Sequence, residues 1–322
     1  MDLKPSLRQA IDHYLQDRRS CGLTAGTLQQ DRTKSKMFLE WCLEVGYDSL
    51  DAFAYDTFSD YVAYLYSRPS NRNPNKGLEK SSITKHIDFL ITFGRFLHEE
   101  GYTTEDYSQR LKRPKIEERV IRAFTDEQIR VIFKTLKRVR SSRKSRAQTA
   151  ILLYLLLDTG LRISEALNLR PVDIDFDHRL LTVWGKGEKE RKVPFSVKTS
   201  TLLTHLITAR NIARNEYIWR TVRSNRPITG VSIRSALRTI QRLAGSEAGL
   251  DSVPVRPHVF RHTFAKRWIM ANGDVLTLQK ILGHASLQMT QKYVYLWGTD
   301  LVEKHDATMQ DLDVDLEIVE FL

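Results

Sequence analysis

Cysteines, long apolar runs and, in the central part of the chain, acidic residues are all scarce in this sequence. Cys21 and Cys42 are the two cysteines among 322 residues, so neither a disulfide framework nor a cysteine-based zinc pattern is available. The longest apolar run, Ala150–Leu157, is far shorter than the roughly 20 residues that span a bilayer. The N-terminus also lacks the apolar region of a signal peptide. These absences argue against a secreted or membrane protein and predict a cytoplasmic one with no membrane partner.

Basic charge is abundant and unevenly distributed along the chain. The formal net charge is +11 and the sequence pI is about 9.6. Residues 1–120 are neutral overall, residues 121–292 carry a net charge of +18, and residues 293–322 carry −7. Unopposed like charge destabilises a compact state, and a bound polyanion would neutralise it. The distribution therefore favours a nucleic acid as the partner of the central region.

The first hundred residues show the periodicity of α-helices. Apolar residues recur at a spacing near 3.6, as at Leu7 and Ile11 and again from Ile83 to Leu97, which predicts an all-helical domain over residues 1–107. Ser70–Gly77 reads as a loop. The aromatic stretch from Phe53 to Tyr66 could form a platform for base stacking, but its helical spacing is more typical of core residues, and we interpret it so.

A basic segment separates this domain from the rest of the chain. Residues 108–122 contain a proline and few large apolar side chains, which predicts an extended linker. If this linker crosses a DNA backbone, the two domains could clamp opposite faces of the duplex. Its basic residues that are candidates for DNA binding are Arg110, Lys112, Arg113 and Lys115.

The second half of the chain predicts a mainly helical domain with one small antiparallel sheet. Thr125 opens a capping-box pattern, and strand patterns at 180–184 and 191–195 flank a glycine-rich turn. We assign residues 123–299 to this domain and residues 300–322 to an acidic tail that also contains large apolar residues. Helices are predicted near 126–140, 147–158, 197–217, 231–244, 256–272 and 275–282.

Four separated segments of this domain hold arginines, histidines and a tyrosine that suit phosphate chemistry on a polyanion. They read TGLRISEALNL at Thr159–Leu169, GKGEKERKVP at Gly185–Pro194, HVFRHTFA at His258–Ala265 and LGHASLQMTQKY at Leu282–Tyr293. Gly160 is expected to end a helix in the left-handed conformation, so that Arg162 leaves a tight turn. From there its planar guanidinium could bind two oxygens of one phosphate.

In their order and spacing the four segments resemble the tyrosine recombinases, also called lambda-integrase-type recombinases, in their compact Xer-like form. The resemblance covers essentially the whole second domain. The N-terminal helices resemble the family's core-binding (SAM-like) domain more weakly. The resemblance implies a mainly α fold with a helical DNA-binding domain followed by a catalytic domain.

The resemblance also implies a role for each motif residue. Tyr293 would be the nucleophile, and Arg162 and Arg261 would hold the charge of the scissile phosphate. Lys186 would protonate the 5′ oxygen, and His258 would act as a general acid or base. The remaining members are His284 as a hydrogen-bond donor to phosphate, Glu165 as an acidic residue that helps to hold the site, and His262 as a support of the fold.

The residues leave several alternatives open beside these roles. Arg162 could instead pair with Asp158 or Glu165 on the surface. Tyr295 is a rival nucleophile, although helical spacing sends it to another face than Tyr293. Lys189 and Arg191 compete with Lys186 for the role of the hairpin lysine.

Two ligand-binding readings of these motifs fail. His258 and His262 have the i, i+4 spacing of a zinc pair, but Val259 stands where HExxH has glutamate and Arg261 would repel a dication. Gly185–Gly187 lacks the spacing and the following Ser or Thr of a phosphate-binding P-loop. No metal and no cofactor is expected.

The resemblance implies a site-specific recombinase that cleaves and rejoins DNA strands. Tyr293 would attack a phosphodiester, form a 3′-phosphotyrosyl bond and free a 5′ hydroxyl, without ATP. A homotetramer would act on two specific double-stranded DNA sites through a Holliday junction in the cytoplasm, at the nucleoid, with a partner recombinase or directionality factor as further possible partners. The alternatives are a catalytically silent DNA-binding regulator and a type IB topoisomerase-like enzyme. We expect the tail to dock on a neighbouring protomer.

Overall fold

A computed structural model describes residues 5–47, 49–50, 53–70, 73–116, 121–185 and 190–297. The chain forms two compact units, Met1–Arg119 and Val120–Leu322. The division lies inside the predicted basic linker, residues 108–122.

In its described residues, the first unit contains four helices and a small ribbon. A capping box between Ser6 and Gln9 starts the first helix, and Gly46, in the left-handed conformation, ends the second. The elements are α1 (Leu7–Ser20), α2 (Ala25–Val45), α3 (Tyr55–Ser67), β1 (Pro69–Ser70), β2 (Asn73–Gly77) and α4 (Lys80–Glu99), followed by a 3-10 turn at Tyr107–Arg110.

The core of this unit is largely aromatic. Phe38 is fully buried, and its ring lies 4.9 Å from that of Tyr61 and 6.0 Å from that of Phe53, both edge-on. Such edge-to-face pairs stabilise the core beyond their buried area. Phe53, Phe58 and Tyr61 are thus core residues as predicted, whereas Tyr66 at the end of that stretch is half exposed.

The prediction of a plain loop at Ser70–Gly77 was wrong. β1 and β2 pair there as an antiparallel ribbon, with Pro69 opposite Gly77 and Ser70 opposite Asn73. The segment is rich in proline and asparagine, which are depleted in strands, so its sequence did not predict the pairing.

The helix Arg143–Thr159, α6, contributes several leucines to the core of the second unit. Leu152, Leu153, Leu155 and Leu156 are at most 1% exposed, and the helix packs against α8 (Val197–Ala209) and α10 (Pro257–Met270). The capping box predicted at Thr125 is present. The helices are α5 (Asp126–Leu136), α6 (Arg143–Thr159), α7 (Ile163–Leu167), α8 (Val197–Ala209), α9 (Gly230–Ala244), α10 (Pro257–Met270), α11 (Val275–Leu282) and α12 (Leu287–Trp297), with 3-10 turns at Pro171–Asp173 and Glu247–Gly249.

A three-stranded antiparallel sheet lies between α7 and α8 in the chain. Its strands are β3 (Ile174–Asp175), β4 (Leu180–Trp184) and β5 (Glu190–Pro194), in the order β3-β4-β5. Thr182 pairs with Lys192, and Trp184 pairs with Glu190 at the end next to the turn. The predicted hairpin is therefore present, and β3 adds a strand that the sequence did not predict. None of the helices in the described ranges is long and apolar enough to cross a membrane.

Candidate active site

Arg162 begins α7 directly after the turn that ends α6. Its backbone N–H donates to Glu165 Oε2 at 2.8 Å, and its guanidinium donates to Glu165 Oε1 at 2.9 Å. The same guanidinium donates to the carbonyls of Leu282 and Gly283 at 3.3 and 3.1 Å. The pairing with Glu165 thus exists, and the hydrogen bonds to Leu282 and Gly283 connect the same arginine to the C-terminal end of α11. Asp158 accepts hydrogen bonds from Ser196 and Thr199.

Gly160 allows three elements to meet at this turn. Its φ of +63° is the left-handed conformation expected from the sequence. A Cβ at this position would come within 2.4 Å of Phe264 and 2.9 Å of Leu282. The close approach of α6, α10 and α11 that brings Arg162 to the site therefore needs a glycine here.

Glu165 holds a second arginine, Arg191 of β5. The two guanidinium NH groups of Arg191 donate to the two carboxylate oxygens of Glu165 at 3.0 and 2.8 Å, and Nε donates to the carbonyl of Ile281 at 2.9 Å. The side chains of Glu165 and Arg191 are 5% and 13% exposed. Burial tends to raise the pKa of Glu165, but the hydrogen bonds from Arg191 and Arg162 outweigh it and lower that pKa. The carboxylate is therefore ionised at neutral pH.

Arg261 reaches the same end of α11 from α10. It is 5% exposed and donates to the carbonyls of Gly160 and Leu282 at 2.9 and 2.7 Å. Burial, followed by the charge of Arg162, lowers its pKa to about 10, so it stays protonated at pH 7. Arg162, Arg191 and Arg261 together satisfy carbonyls at the C-terminus of α11, where the helix dipole favours cations. With the single carboxylate of Glu165, these side chains leave a net positive charge suited to a phosphate.

Tyr293 lies on α12 with its hydroxyl turned into this cluster. The residue is 4% exposed, and its Oη lies 2.8 Å from Nδ1 of His262. Burial raises the pKa of Tyr293, and the charges of Arg261 and Arg162 offset part of that rise. A buried phenol with a raised pKa needs a proton acceptor before it can attack a phosphate.

Two further histidines complete the cluster. The His284 ring stacks on the ring of Tyr293, with centroids 6.1 Å apart, and its Nδ1 lies 2.8 Å from the hydroxyl of buried Thr290. Burial lowers the pKa of His284 to about 4, so its ring is neutral at pH 7. His258 is exposed in the first turn of α10, where partial desolvation and then Arg261 and Arg162 lower its pKa.

The structure brings most of the predicted site residues into one cluster. Lys186, the predicted leaving-group donor, and its competitor Lys189 lie outside the described residues. Tyr295, the rival nucleophile, is 86% exposed. The residues brought together are Arg162, Glu165, His258, Arg261, His262, His284 and Tyr293.

The linker residues predicted to bind DNA lie in the first unit. The guanidinium of Arg110 stacks over the ring of Tyr55 at 4.1 Å, and Arg113 Nε donates to Asp88 at 2.7 Å. Lys112 and Lys115 are exposed. All four basic residues are therefore exposed, and two of them contact a side chain of their own unit.

Sequence reasoning underestimated two residues of the site. Arg191 was considered a competitor for the hairpin lysine, yet it forms a fork with Glu165, 26 residues away. His262 was assigned a supporting role, yet it contacts the hydroxyl of Tyr293, 31 residues away. Both residues stand inside the quoted motifs, so their positions were available as signals, but their partners were not. Within the described residues, no group of three or more His, Cys, Asp or Glu side chains could hold a metal ion.

Comparisons with known proteins place this site in a family. The phage integrase family matches residues 122–297. The tyrosine recombinase XerC of Staphylococcus carnosus is 30% identical over 262 residues, which cover 80% of this chain and 83% of the relative. XerC of a Staphylococcus aureus strain is 29% identical over 282 residues, covering 86% and 87%.

Solved structures share the fold. The Tn1549 transposon integrase in complex with a circular intermediate DNA superposes with a TM-score of 0.68 at 18% identity, covering 89% of this chain and 94% of that one. XerH site-specific recombinase bound to a palindromic difH substrate gives 0.67 at 18% identity, covering 87% and 78%.

A mainly helical fold with a small antiparallel sheet and an arginine cluster around a buried tyrosine defines a tyrosine site-specific recombinase, an enzyme that acts on DNA. The chain belongs to the phage integrase family.

Proposed function

We propose that Tyr293 is the nucleophile of a strand-exchange reaction on DNA. Its Oη attacks a phosphodiester, forms a 3′-phosphotyrosyl bond and releases a 5′ hydroxyl. A 5′ hydroxyl from the same or a partner strand then attacks the phosphotyrosine and restores the DNA. The bond is exchanged rather than hydrolysed, so the reaction needs no ATP.

The other members of the cluster act on the phosphate. Arg162 and Arg261 hold its non-bridging oxygens and stabilise the charge of the transition state. His284 donates a hydrogen bond through Nε2, since its Nδ1 is engaged by Thr290. His258 serves proton transfer at the phosphate, and Lys186 protonates the leaving 5′ oxygen. Glu165 positions Arg162.

The position of the buried Tyr293 near two arginines supports these roles most directly. The charges of Arg261 and Arg162 act to lower the pKa of its hydroxyl, and both arginines donate to the carbonyl of Leu282. A packing tyrosine would gain little from two nearby arginines in a buried site, because burying charge is costly without a compensating use. A phosphate bound beside Tyr293 would neutralise these charges.

Nicked suicide substrates test the proposal, because loss of the short cleaved strand prevents religation. The protein, Tyr293→Phe and Tyr295→Phe are incubated with sites taken from the surrounding genomic DNA and separated on denaturing gels. We expect a covalent protein–DNA band with the wild type and Tyr295→Phe and none with Tyr293→Phe. Sequence-specific binding without a covalent band for any protein would instead favour the silent DNA-binding regulator.

We further propose that four protomers assemble on two sites and exchange strands through a Holliday junction at the nucleoid. The tail, residues 300–322, lies outside the described residues, and its mixture of acidic and large apolar side chains supports a docking role between protomers. All four linker residues are exposed, but Arg110 and Arg113 contact Tyr55 and Asp88. Lys112 and Lys115 are therefore the ones we expect to meet DNA phosphates most readily.

A further inference from the structure

His262 faces the oxygen that must lose a proton. Its Nδ1 lies 2.8 Å from Tyr293 Oη, within hydrogen-bonding distance. Tyr293 is buried and His262 is partly buried. The positive charges of Arg261 and Arg162 act on the same phenol to lower its pKa. An imidazole nitrogen that carries no hydrogen accepts a hydrogen bond, and a phenol donates one. A hydrogen bond from Tyr293 Oη to Nδ1 directs the phenol proton toward His262.

We propose that His262 is a catalytic residue that accepts the proton of Tyr293 during cleavage and returns it during religation. This inference rests on the proposed function and refines it, because it separates two proton transfers. His262 serves the nucleophile on the inner side of the cluster. Exposed His258 serves the phosphate.

The step balances without a cofactor. As the Oη–P bond forms, the Oη–H bond breaks and its proton passes to the lone pair of His262 Nδ1, with Nε2 carrying the ring's own hydrogen. The P–O5′ bond breaks, and the leaving oxygen takes a proton from a separate donor, the role proposed for Lys186. In religation the 5′ hydroxyl attacks and its proton returns to the separate donor that supplied it. The P–Oη bond breaks, and the imidazolium returns its proton to Oη.

The surroundings keep His262 neutral until substrate arrives. Burial, then His258 and Arg261, lowers the pKa of His262 to about 4, so Nδ1 has a lone pair to offer at pH 7. The titratable groups that face it are His258 and Arg261 on its own helix, Tyr293 on α12 and His284 before α12. A bound phosphate adds negative charge beside these cations and favours the imidazolium as Oη attacks.

His262→Asn separates proton transfer from positioning. The side-chain amide of asparagine can occupy the place of Nδ1 and keep a hydrogen bond to Tyr293, but it cannot take up a proton. We expect single-turnover cleavage of a suicide substrate to fall at least 100-fold, since general-base catalysis contributes about 10²–10⁴-fold. His205→Asn, the same change at an exposed position of α8, should cleave at the wild-type rate. His262→Asn within about threefold of wild type would overturn the inference.

A second substrate excludes a general loss of the site. In a 5′-bridging phosphorothiolate the leaving group is a thiolate, which departs without a proton because thiols are far more acidic than alcohols. Lys186→Ala should regain most of its rate on this substrate, whereas His262→Asn should stay slow. Recovery of His262→Asn to the wild-type rate would assign His262 to the leaving group and overturn the inference.

The same experiments distinguish this inference from the proposed function. Wild type that forms no covalent complex on either substrate contradicts the proposed function itself. A covalent complex with wild type and an unimpaired His262→Asn contradicts only the role of His262. If His262→Asn does not fold, judged by its thermal unfolding midpoint, nitrogen NMR of His262 in the wild type replaces it. The inference then requires an unprotonated Nδ1 and a hydrogen on Nε2, and the opposite tautomer overturns it.

Discussion

The carboxylate of Glu165 joins two arginines from different parts of the second unit. It receives Arg162 from the start of α7 and the fork of Arg191 from β5, and both arginines also bind carbonyls at the end of α11. An acidic residue in a phosphate site would by itself repel the substrate. Here it is covered by its two partners, so its charge fixes their positions instead of facing the phosphate.

Removing Arg191 should therefore destabilise the fold more than removing an arginine of a more exposed pair. We expect Arg191→Met to lower the free energy of unfolding by about 3 kcal/mol, because Glu165 would stay buried with one partner fewer. Arg220→Met breaks an ion pair whose carboxylate, Glu216, is 37% exposed, and should cost about 1 kcal/mol or less. Urea unfolding at pH 7 measures both, and equal losses would contradict the importance of the fork.

The partly buried histidines of the site predict a stability that falls on acidification. The pKa values of His262 and His284 are lowered to about 4, chiefly by burial, whereas an unfolded histidine titrates near 6.5. Between those values the unfolded chain holds more protons, so stability decreases as the pH falls. At pH 5 each histidine should cost about 2 kcal/mol relative to pH 7.

Urea unfolding at pH 7 and pH 5 tests this dependence. His284→Asn keeps a group that can bond to Thr290 but removes one titrating ring, so the difference between the two pH values should shrink by about 2 kcal/mol. His205→Asn, on an exposed face of α8, should leave the difference unchanged. A pH dependence identical in all three proteins would show that His284 is not the source.

At the scale of elements, the site depends on how closely α6, α10 and α11 approach one another. Gly160→Ala forces a left-handed alanine and overlaps Phe264 and Leu282, so we expect a loss of at least about 3 kcal/mol in stability. Gly249→Ala, in the same unit, has a similar φ of +71° but its nearest atom is 3.9 Å away, and should cost about 1–2 kcal/mol. Thermal unfolding compares them. Equal decreases of the unfolding midpoint in the two variants would mean that Phe264 and Leu282 move aside at little cost in free energy.

Apolar periodicity predicted most elements of the second unit but not all of their ends. The helix predicted at 197–217 ends at Ala209, because Asn211 adopts a positive φ of 47°. Ile212 and Ile218 beyond it are still buried, one at 8% and the other fully. The apolar pattern therefore extends past the end of the helix, because the loop that follows also packs on the core. This is why the predicted helix was too long. The helix predicted at 126–140 likewise ends at Leu136.

The sequence predicted those features of the site that depend on neighbouring residues. It did not predict the contacts between side chains that are far apart in the chain. Gly160 and Arg162 share one turn, so their conformation follows from their neighbours. Arg191 meets the carbonyl of Ile281 across 90 residues, and His262 meets Tyr293 across 31. The periodicity of a single segment cannot predict contacts between residues so far apart in the chain. These contacts form only when β5 and α10 pack against the C-terminal helices.

At the scale of the whole molecule, charge divides the chain into parts with different tasks. The region of +18, residues 121–292, contains the arginines and histidines of the site, and the final 30 residues, which begin with Tyr293, carry −7. We expect deletion of residues 300–322 to leave binding to a single DNA site and covalent trapping nearly unchanged while impairing the pairing of two sites. Gel shifts with one and two sites measure this. Undiminished tetramer formation by the shortened protein would contradict a docking role for the tail.

Tyr293 is only 4% exposed, and this has a thermodynamic consequence for the free enzyme. A phosphodiester cannot reach its hydroxyl until neighbouring groups move, so the competent form is a minor population before DNA binds. The apparent dissociation constant then equals the intrinsic one divided by the fraction already competent. Variants in which the groups around Tyr293 move more easily would therefore bind DNA more tightly. If binding of the correct DNA site causes this movement in the wild type, these variants would also discriminate less between DNA sites.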